Sequence, residues 1–254
     1  MAFSQLVQAN LSTQVIGRKI EYYQILKSTN SEAWNLIYAG AQHGTVVITD
    51  HQTRGKGRGK NSWVSSPNNS LTFSVVLKPN EIPYSSLFSL SAGIAIAKTL
   101  QFFGIQSNLK WPNDILIHQK KVSGILCETK FRASNPSALV IGIGLNVNEK
   151  VEDLQTELSE SSTSMSIESG MIFQRERVMA ESLNFLEEYL FKSDEEIIKE
   201  WAQFCGHIGK NISFRDGKEK MRGKFIGLTN SGAAVVNING TETEFSSPII
   251  TIEN

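Results

Sequence analysis

Short β-branched runs alternate with stretches of helical period over the first two hundred residues, and the pattern then changes to closely spaced strands. Gly44–Thr49 is apolar, brief and β-branched, which predicts a buried strand. Leu71–Leu77 predicts another, ended by Lys78 and Pro79. From Ser86 to Phe103, Leu87, Leu90, Ile94, Ala97 and Leu100/Gln101 recur along one helical face. Asp114–His118 and Val122–Thr129 read as strands joined by a turn at Gln119-Lys120-Lys121, and Ala138–Ile141 as a strand running into Gly142-Ile-Gly-Leu-Asn146. Ser159–Ser166 is a polar run that reads as a loop. Gln174–Phe191 carries Val178, Ser182/Leu183, Leu186 and Leu190 on one stripe. Ser193 and Glu196 have capping-box spacing for a further helix through Phe204. Beyond Asn211, turn signals at Asp216-Gly217, Asn230-Ser-Gly232 and Asn239-Gly240 separate short strands, predicting a small barrel with a boundary near Cys205–Gly209.

Composition narrows the class. The chain has 254 residues, 40% hydrophobic and 20% charged, with a formal net charge of zero, so general disorder and a whole-surface nucleic-acid binder are both disfavoured. Two distant cysteines, Cys127 and Cys205, suit a reducing cytoplasm. No signal peptide is visible, and Leu87–Ile105 is too interrupted by polar residues for a membrane span. The expectation is a soluble cytoplasmic protein. His43, His51, His118 and His207 show no metal spacing and read as surface or satisfied histidines. Neither dinucleotide-binding nor P-loop spacing is met, and no serine-hydrolase elbow occurs, so any enzyme here would work by charge and positioning.

Four segments carry candidate chemistry. Thr53–Trp63 alternates Arg54, Lys56, Arg58 and Lys60 with Gly55, Gly57 and Gly59, which suits an anion clamp or a flexible basic surface loop. Lys110-Trp-Pro-Asn-Asp114 reads as a strand–turn–strand corner with a surface lysine, or as groups reaching a metal-bound phosphate. Thr29 and Glu32 fit a capping box opening a helix over Ala33–Tyr38, while the same helix start offers N–H donors to a ligand. Lys121 is either a solvated turn lysine or a functional cation opening the next strand.

In order along the chain, Ser28-Thr-Asn30, Gln52-Thr-Arg-Gly-Lys-Gly-Arg58 before Trp63, Lys110–Asp114, Lys121-Val-Ser-Gly-Ile-Leu-Cys-Glu128 and Gly142–Asn146 strongly resemble biotin–protein ligases. The resemblance runs from about Ile20 to Asn148, and the segment after Gly206 is similar to that family's small C-terminal domain. It implies an α+β fold: a mixed central sheet flanked by helices, like a class II aminoacyl-tRNA-synthetase catalytic domain, over residues 1–206, with an SH3-like β-barrel over 207–254. It also implies activation of biotin by ATP to biotinyl-5′-AMP, with Mg²⁺, and transfer to a lysine of a biotin carboxyl carrier protein.

Residue by residue, the resemblance assigns Lys121 as the first catalytic cation, with Arg58 and Lys110. Ser28, Thr29, Asn30 and Gln52 would meet the biotin ureido group. Gly55, Lys56, Gly57 and Arg58 would close over biotin and the adenylate, and Trp63 would shield the ligand or pack beneath the loop. Asn113 and Asp114 would support the nucleotide end, and Asn146 a phosphate or metal shell. Gly124 and Gly142 would allow close backbone approach. The metal ligands are left unassigned. Lys56 stands where arginine is usual, Gly59 at the free position and Lys60 where the last glycine is expected, so weaker retention of the adenylate is anticipated. The Ser-Thr-Asn motif begins at residue 28, and no DNA-binding domain, DNA partner or membrane partner is expected; monomer and homodimer both fit. Competing readings are a lipoate or octanoate ligase of the same fold, a non-catalytic biotin-binding module, and a DNA-binding repressor.

Overall fold

The computed structural model describes residues 2–59, 61–83, 85–133, 135–154, 161–216, 219–246 and 249–253. Helix α1 (Ala2–Ala9) is followed by β1 (Ile20–Leu26), α2 (Thr29–Tyr38), β2 (Val46–Gln52), the two-residue strands β3 (Gly55–Lys56) and β4 (Ser62–Trp63), and β5 (Ser70–Leu77). Next come α3 (Phe88–Phe102), β6 (Asn108–Lys110), β7 (Asp114–Ile117), β8 (Lys120–Arg132), β9 (Asn135–Asn146), α4 (Met165–Ser169), α5 (Arg175–Leu190) and α6 (Asp194–Phe204). Strands β10 (Asn211–Asp216), β11 (Glu219–Leu228), β12 (Ala234–Ile238), β13 (Thr241–Phe245) and β14 (Ile250–Ile252) complete the chain.

The main sheet has seven strands in the order β1-β2-β5-β9-β8-β7-β6. Only β1 and β2 pair in parallel; every other neighbour is antiparallel. Alternation along β5 explains its two faces. Leu71, Phe73, Val75 and Leu77 join the large core that α3 and α5 cover. Ser70, Thr72 and Ser74 share the opposite face, buried despite being polar. That face is closed at one end by Ala33 and Trp34 of α2 against Val47, Val76 and Val140. Helix α3 is buried almost all round, from Leu90 to Ala97, rather than on a single stripe.

The box at Ser193 and Glu196 forms as expected, with both reciprocal hydrogen bonds. The one at Thr29 and Glu32 does not. Helix α2 begins at Thr29 itself, with Ser28 as its N-cap and no side-chain cap. The Thr29 N–H instead donates to Gln52 Oε1 at 2.7 Å. Glu32 is drawn to Tyr23 Oη and Asn35 Nδ2. The turn placed at Gln119–Lys121 is a tighter one at His118 and Gln119, both at positive φ (47° and 68°), so Lys120 and Lys121 are already strand. Neither turn residue is Gly or Asn, the usual carriers of such a conformation, which hid the boundary. The β8–β9 hairpin also outruns the sequence reading at its polar end.

The last five strands form an antiparallel sheet in the order β13-β12-β11-β10-β14. Asn239 and Gly240, both at positive φ, make the β12–β13 turn. Gly217, and with it part of the predicted Asp216-Gly217 turn, lies outside the described residues, as do Lys60, Ser159 and Glu160. Trp111 Nε1, in the β6–β7 turn, donates to Gly232 O at 3.0 Å, and Ser86 Oγ, just before α3, donates to Ser231 O at 3.3 Å, both in the β11–β12 connection of this sheet. Beneath them His207 is fully buried beside Phe225, and burial lowers its pKa to about 4, so it is neutral core.

Candidate active site

Strand register builds the site. Directly opposed residues in an antiparallel pair point to the same face, and one such row crosses six strands: Thr49, Thr72, Gly144, Gly124, Asp114 and Lys110. A second row runs from Val47 through Ser74 and Gly142 to Leu126. The three glycines leave a trough in an otherwise filled sheet face. A Cβ at Gly144 would overlap the Trp63 indole, and one at Gly142 would overlap Asn30 Oδ1. At Gly124 it would lie 3.1 Å from Lys121 Cε. The resulting cleft takes in about 690 Å³ of space, open solvent at its mouth included.

At one end stand Ser28, Thr29 and Gln52, all buried and all lining the cleft. Thr29 Oγ1 is 3.2 Å from Gln52 Oε1, and Ser74 Oγ donates across to Thr29 Oγ1 or Asn30 Oδ1. Asn30 lines the same end, but its amide is occupied: Nδ2 donates to Glu128 Oε2 at 2.8 Å and to Leu126 O at 3.3 Å. Its evident work is to fasten α2 to β8.

At the other end Lys121 Nζ lies 2.5 Å from Asp114 Oδ1 and 5.9 Å from the Trp63 ring centre. Arg58 also lines the cleft; burial lowers its guanidinium pKa while Asp114 raises it. Lys110 is in the row but on edge strand β6, and it does not line the cleft. Burial depresses its ammonium pKa. Asn113 lines the cleft while its Nδ2 donates to Ile125 O at 2.8 Å, tying the β6–β7 turn to β8.

The basic glycine segment folds as a small hairpin over this trough. Gly55 pairs with Trp63 and Lys56 with Ser62, and Gly57 N–H donates to Asn61 O at 2.9 Å. Gly55 has no room for a Cβ, which would collide with Trp63 O. Lys56, Gly57 and Arg58 all line the cleft, the arrangement an anion clamp would need, while Arg54 and Lys56 remain exposed.

A second cleft of about 600 Å³ meets the first at Ser62, Trp63 and Lys121, and is completed by Asn146, Glu149 and Asp153 among others. Asn146 Nδ2 donates to Thr163 O. Glu149 is 1% exposed; Ser70 Oγ donates to its Oε1 at 2.5 Å, and Oε2 has no hydrogen-bond partner. Burial raises its pKa to about 7 despite the Ser70 bond. Sequence reasoning missed both Glu149 and Thr72, because neither sits in a motif: Thr72 reaches its cleft through the pairing of β5 with β9, and Glu149 lies in the connection that follows β9. Among the described residues no group of three or more His, Cys, Asp or Glu side chains could hold a metal ion. None of their helices is long and apolar enough to cross a membrane.

Comparison with known proteins agrees with this geometry. The description "Biotin/lipoate A/B protein ligase family" matches residues 22–146. The bifunctional ligase/repressor BirA of Bacillus subtilis is 32% identical over 251 residues, covering 96% of this chain and 77% of the relative. The biotin–[acetyl-CoA-carboxylase] ligase of Mycobacterium tuberculosis is 30% identical over 164 residues, 60% of each chain. The structure of Aquifex aeolicus biotin protein ligase in complex with biotin and ATP superimposes with a TM-score of 0.79 at 27% identity, covering 93% of this chain and 99% of that one. The chain thus belongs to the biotin/lipoate A/B protein ligase family and, within it, to the biotin–protein ligases.

Proposed function

We propose that the trough holds biotin with its ring system at the Thr29–Gln52 end and its carboxylate at the Lys121 end, and that the second cleft holds the nucleotide. The observation that carries this reading is the cross-sheet row, which separates a neutral hydroxyl-and-amide end from a cationic end by a floor of glycines. Three strand spacings from Thr72 to Asp114 span about 14 Å, enough for an extended acid.

In the first half-reaction the biotin carboxylate oxygen attacks the α-phosphorus of ATP and pyrophosphate leaves. Two anions must approach, so the barrier is set by charge repulsion and alignment. Lys121, oriented by Asp114, sits where the clefts meet and would neutralise the carboxylate and α-phosphate together. Arg58 adds a second cation from the hairpin, and the Trp63 indole roofs the junction against water. In the second half-reaction a neutral amine attacks the acyl carbon of biotinyl-5′-AMP, forming the amide while AMP departs and the amine loses a proton. We assign that amine to a lysine of a biotin carboxyl carrier domain. Among the described residues no cluster of His, Cys, Asp or Glu would cage Mg²⁺ by itself, and an ion entering with the triphosphate would find the Asn146 side chain in the second cleft. When bound there, it would supply charge neutralisation on the phosphates.

In this assignment residues 1–206 are the catalytic unit, and 207–254 form an SH3-like barrel that helps frame the cleft through Ile249. Biotin-dependent exchange between ATP and pyrophosphate tests the reading. Lys121→Ala is expected to lower the exchange rate at least 10²-fold, roughly the loss seen when a charge-stabilising group is removed. Exchange with lipoate but not biotin, or full activity in Lys121→Ala, would overturn it.

A further inference from the structure

Strand β9 parts from β8 at the pair Ser123 and Leu145. Beside Lys121 its place is taken by Ser161–Thr163, a segment that the sequence reads only as part of a polar loop. Lys121 N–H donates to Ser161 O at 2.8 Å, and Lys121 O accepts from Thr163 N–H at 2.9 Å. Both main-chain groups of Lys121 are therefore held by a strap from outside the main sheet.

Glu168 of α4 anchors that strap. Thr163 is 1% exposed, and its Oγ1 donates to Glu168 Oε1 at 2.5 Å. The other carboxylate oxygen, Oε2, lies 2.8 Å from His118 Nδ1, in the positive-φ turn that opens β8. One largely buried carboxylate thus ties down the chain on both sides of Lys121. Burial works to raise its pKa, but the bonds to Thr163 and His118 hold it below the ordinary carboxylate value, so the group stays ionised. Neither Glu168, Thr163 nor His118 lines either cleft, so any effect they have on the reaction must pass through other residues.

We propose that Glu168 is a positioning residue of this ligase: by holding Thr163 and His118 it fixes the backbone of Lys121, and so keeps the Lys121 ammonium at the junction of the two clefts. This rests on the reading of Lys121 as the cation that neutralises carboxylate and α-phosphate together. Asp114 aims the side chain, and Glu168 sets the place of the chain that carries it. A reaction that works by aligning two anions on one cation is sensitive to small shifts of that cation.

The test is a double-mutant cycle in the full chain, read by biotin-dependent exchange between ATP and pyrophosphate at saturating substrates, with Tm measured for every variant. Glu168→Ala removes both contacts. Glu168→Gln keeps an oxygen for Thr163 and an N–H for His118, and Thr163→Val removes the hydroxyl alone. With Lys121 present, Glu168→Ala is expected to lower the exchange rate roughly 10-fold or more. Thr163→Val should lower it in the same direction, and Glu168→Gln should keep most of the wild-type rate. In a Lys121→Ala background, Glu168→Ala is expected to change the residual rate by less than about twofold, since the group it positions is gone. A purely structural role would instead give the same fold-loss in both backgrounds, and that result would overturn the proposal. So would a wild-type rate in Glu168→Ala. Should Glu168→Ala fail to fold, the same comparison of backgrounds with Thr163→Val decides the matter. Full exchange in Lys121→Ala alone would overturn instead the reading of Lys121 itself.

Discussion

Glu149 offers a quantitative check on the second cleft. Its carboxyl is driven from an ordinary 4.5 to about 7, first by burial, with Asp153 adding repulsion and the Ser70 hydroxyl opposing both. A group whose folded pKa is raised stabilises the fold below its unfolded pKa and loses that contribution as pH climbs through the folded value. The rise corresponds to about 3 kcal/mol at ~1.4 kcal/mol per decade of proton affinity. Most of it, about 2–3 kcal/mol, should disappear between roughly pH 5 and pH 8. Glu149→Gln removes the titration while keeping an oxygen for Ser70. Urea unfolding of both proteins across that range should therefore show the wild type losing stability relative to the variant as pH rises. His207 acts in the opposite sense, because its pKa is lowered to about 4 and its contribution fades as pH falls from 6.5 through that value. It is common to both proteins and cancels in the difference. Parallel stability curves from pH 5 to 8 would show that Glu149 is solvated or already paired, and would remove it from the buried wall of the cleft.

Two further outcomes follow from the hairpin and from the link between the sheets. Lys56→Arg, which gives the hairpin a bidentate fork facing the cleft, should slow dissociation of the adenylate, measured by release of labelled biotinyl-5′-AMP; equal rates would show that Lys56 does not touch it. Trp111→Phe cuts the hydrogen bond to Gly232 O and should cost about 1 kcal/mol in chemical denaturation, with the biotin Kd nearly unchanged; a large loss of biotin affinity would mean that this link also shapes the trough.

Chemistry that sits in local motifs was legible from sequence; chemistry that depends on pairing was not. Lys121, Arg58, Thr29 and Gln52 stood out as residue types in context, and all line the cleft. Lys110 and Asn30 stood out equally, yet the edge position of β6 keeps the first out of the cleft, and Glu128 and Ser74 occupy the amide of the second. Sequence spacing cannot tell a polar side chain facing a ligand from one consumed by its neighbour. The Thr29–Glu32 box has the right letters, but a glutamine from β2 reached the helix start first. Thr72 sits in a run that reads only as a buried strand, and its place opposite Gly144 exists only once β5 and β9 are paired. Periodicity located most of the strands and helices, with errors where polar residues carry strand, as at Lys130 and Arg132, or where positive φ falls on His and Gln.

The cross-sheet row also sets how this chain can change length. Its floor belongs to no loop. It exists because Gly144 faces Thr72 on one side and Gly124 on the other, so removing a single residue within β9 would rotate Ile143 or Leu145 beneath the indole and fill the trough with a branched side chain. Residues can be gained or lost in the β8–β9 tip or the β12–β13 turn without touching that alignment. Insertions and deletions compatible with biotin chemistry are therefore confined to the connections, and the central strands must keep their residue count even where their identities drift.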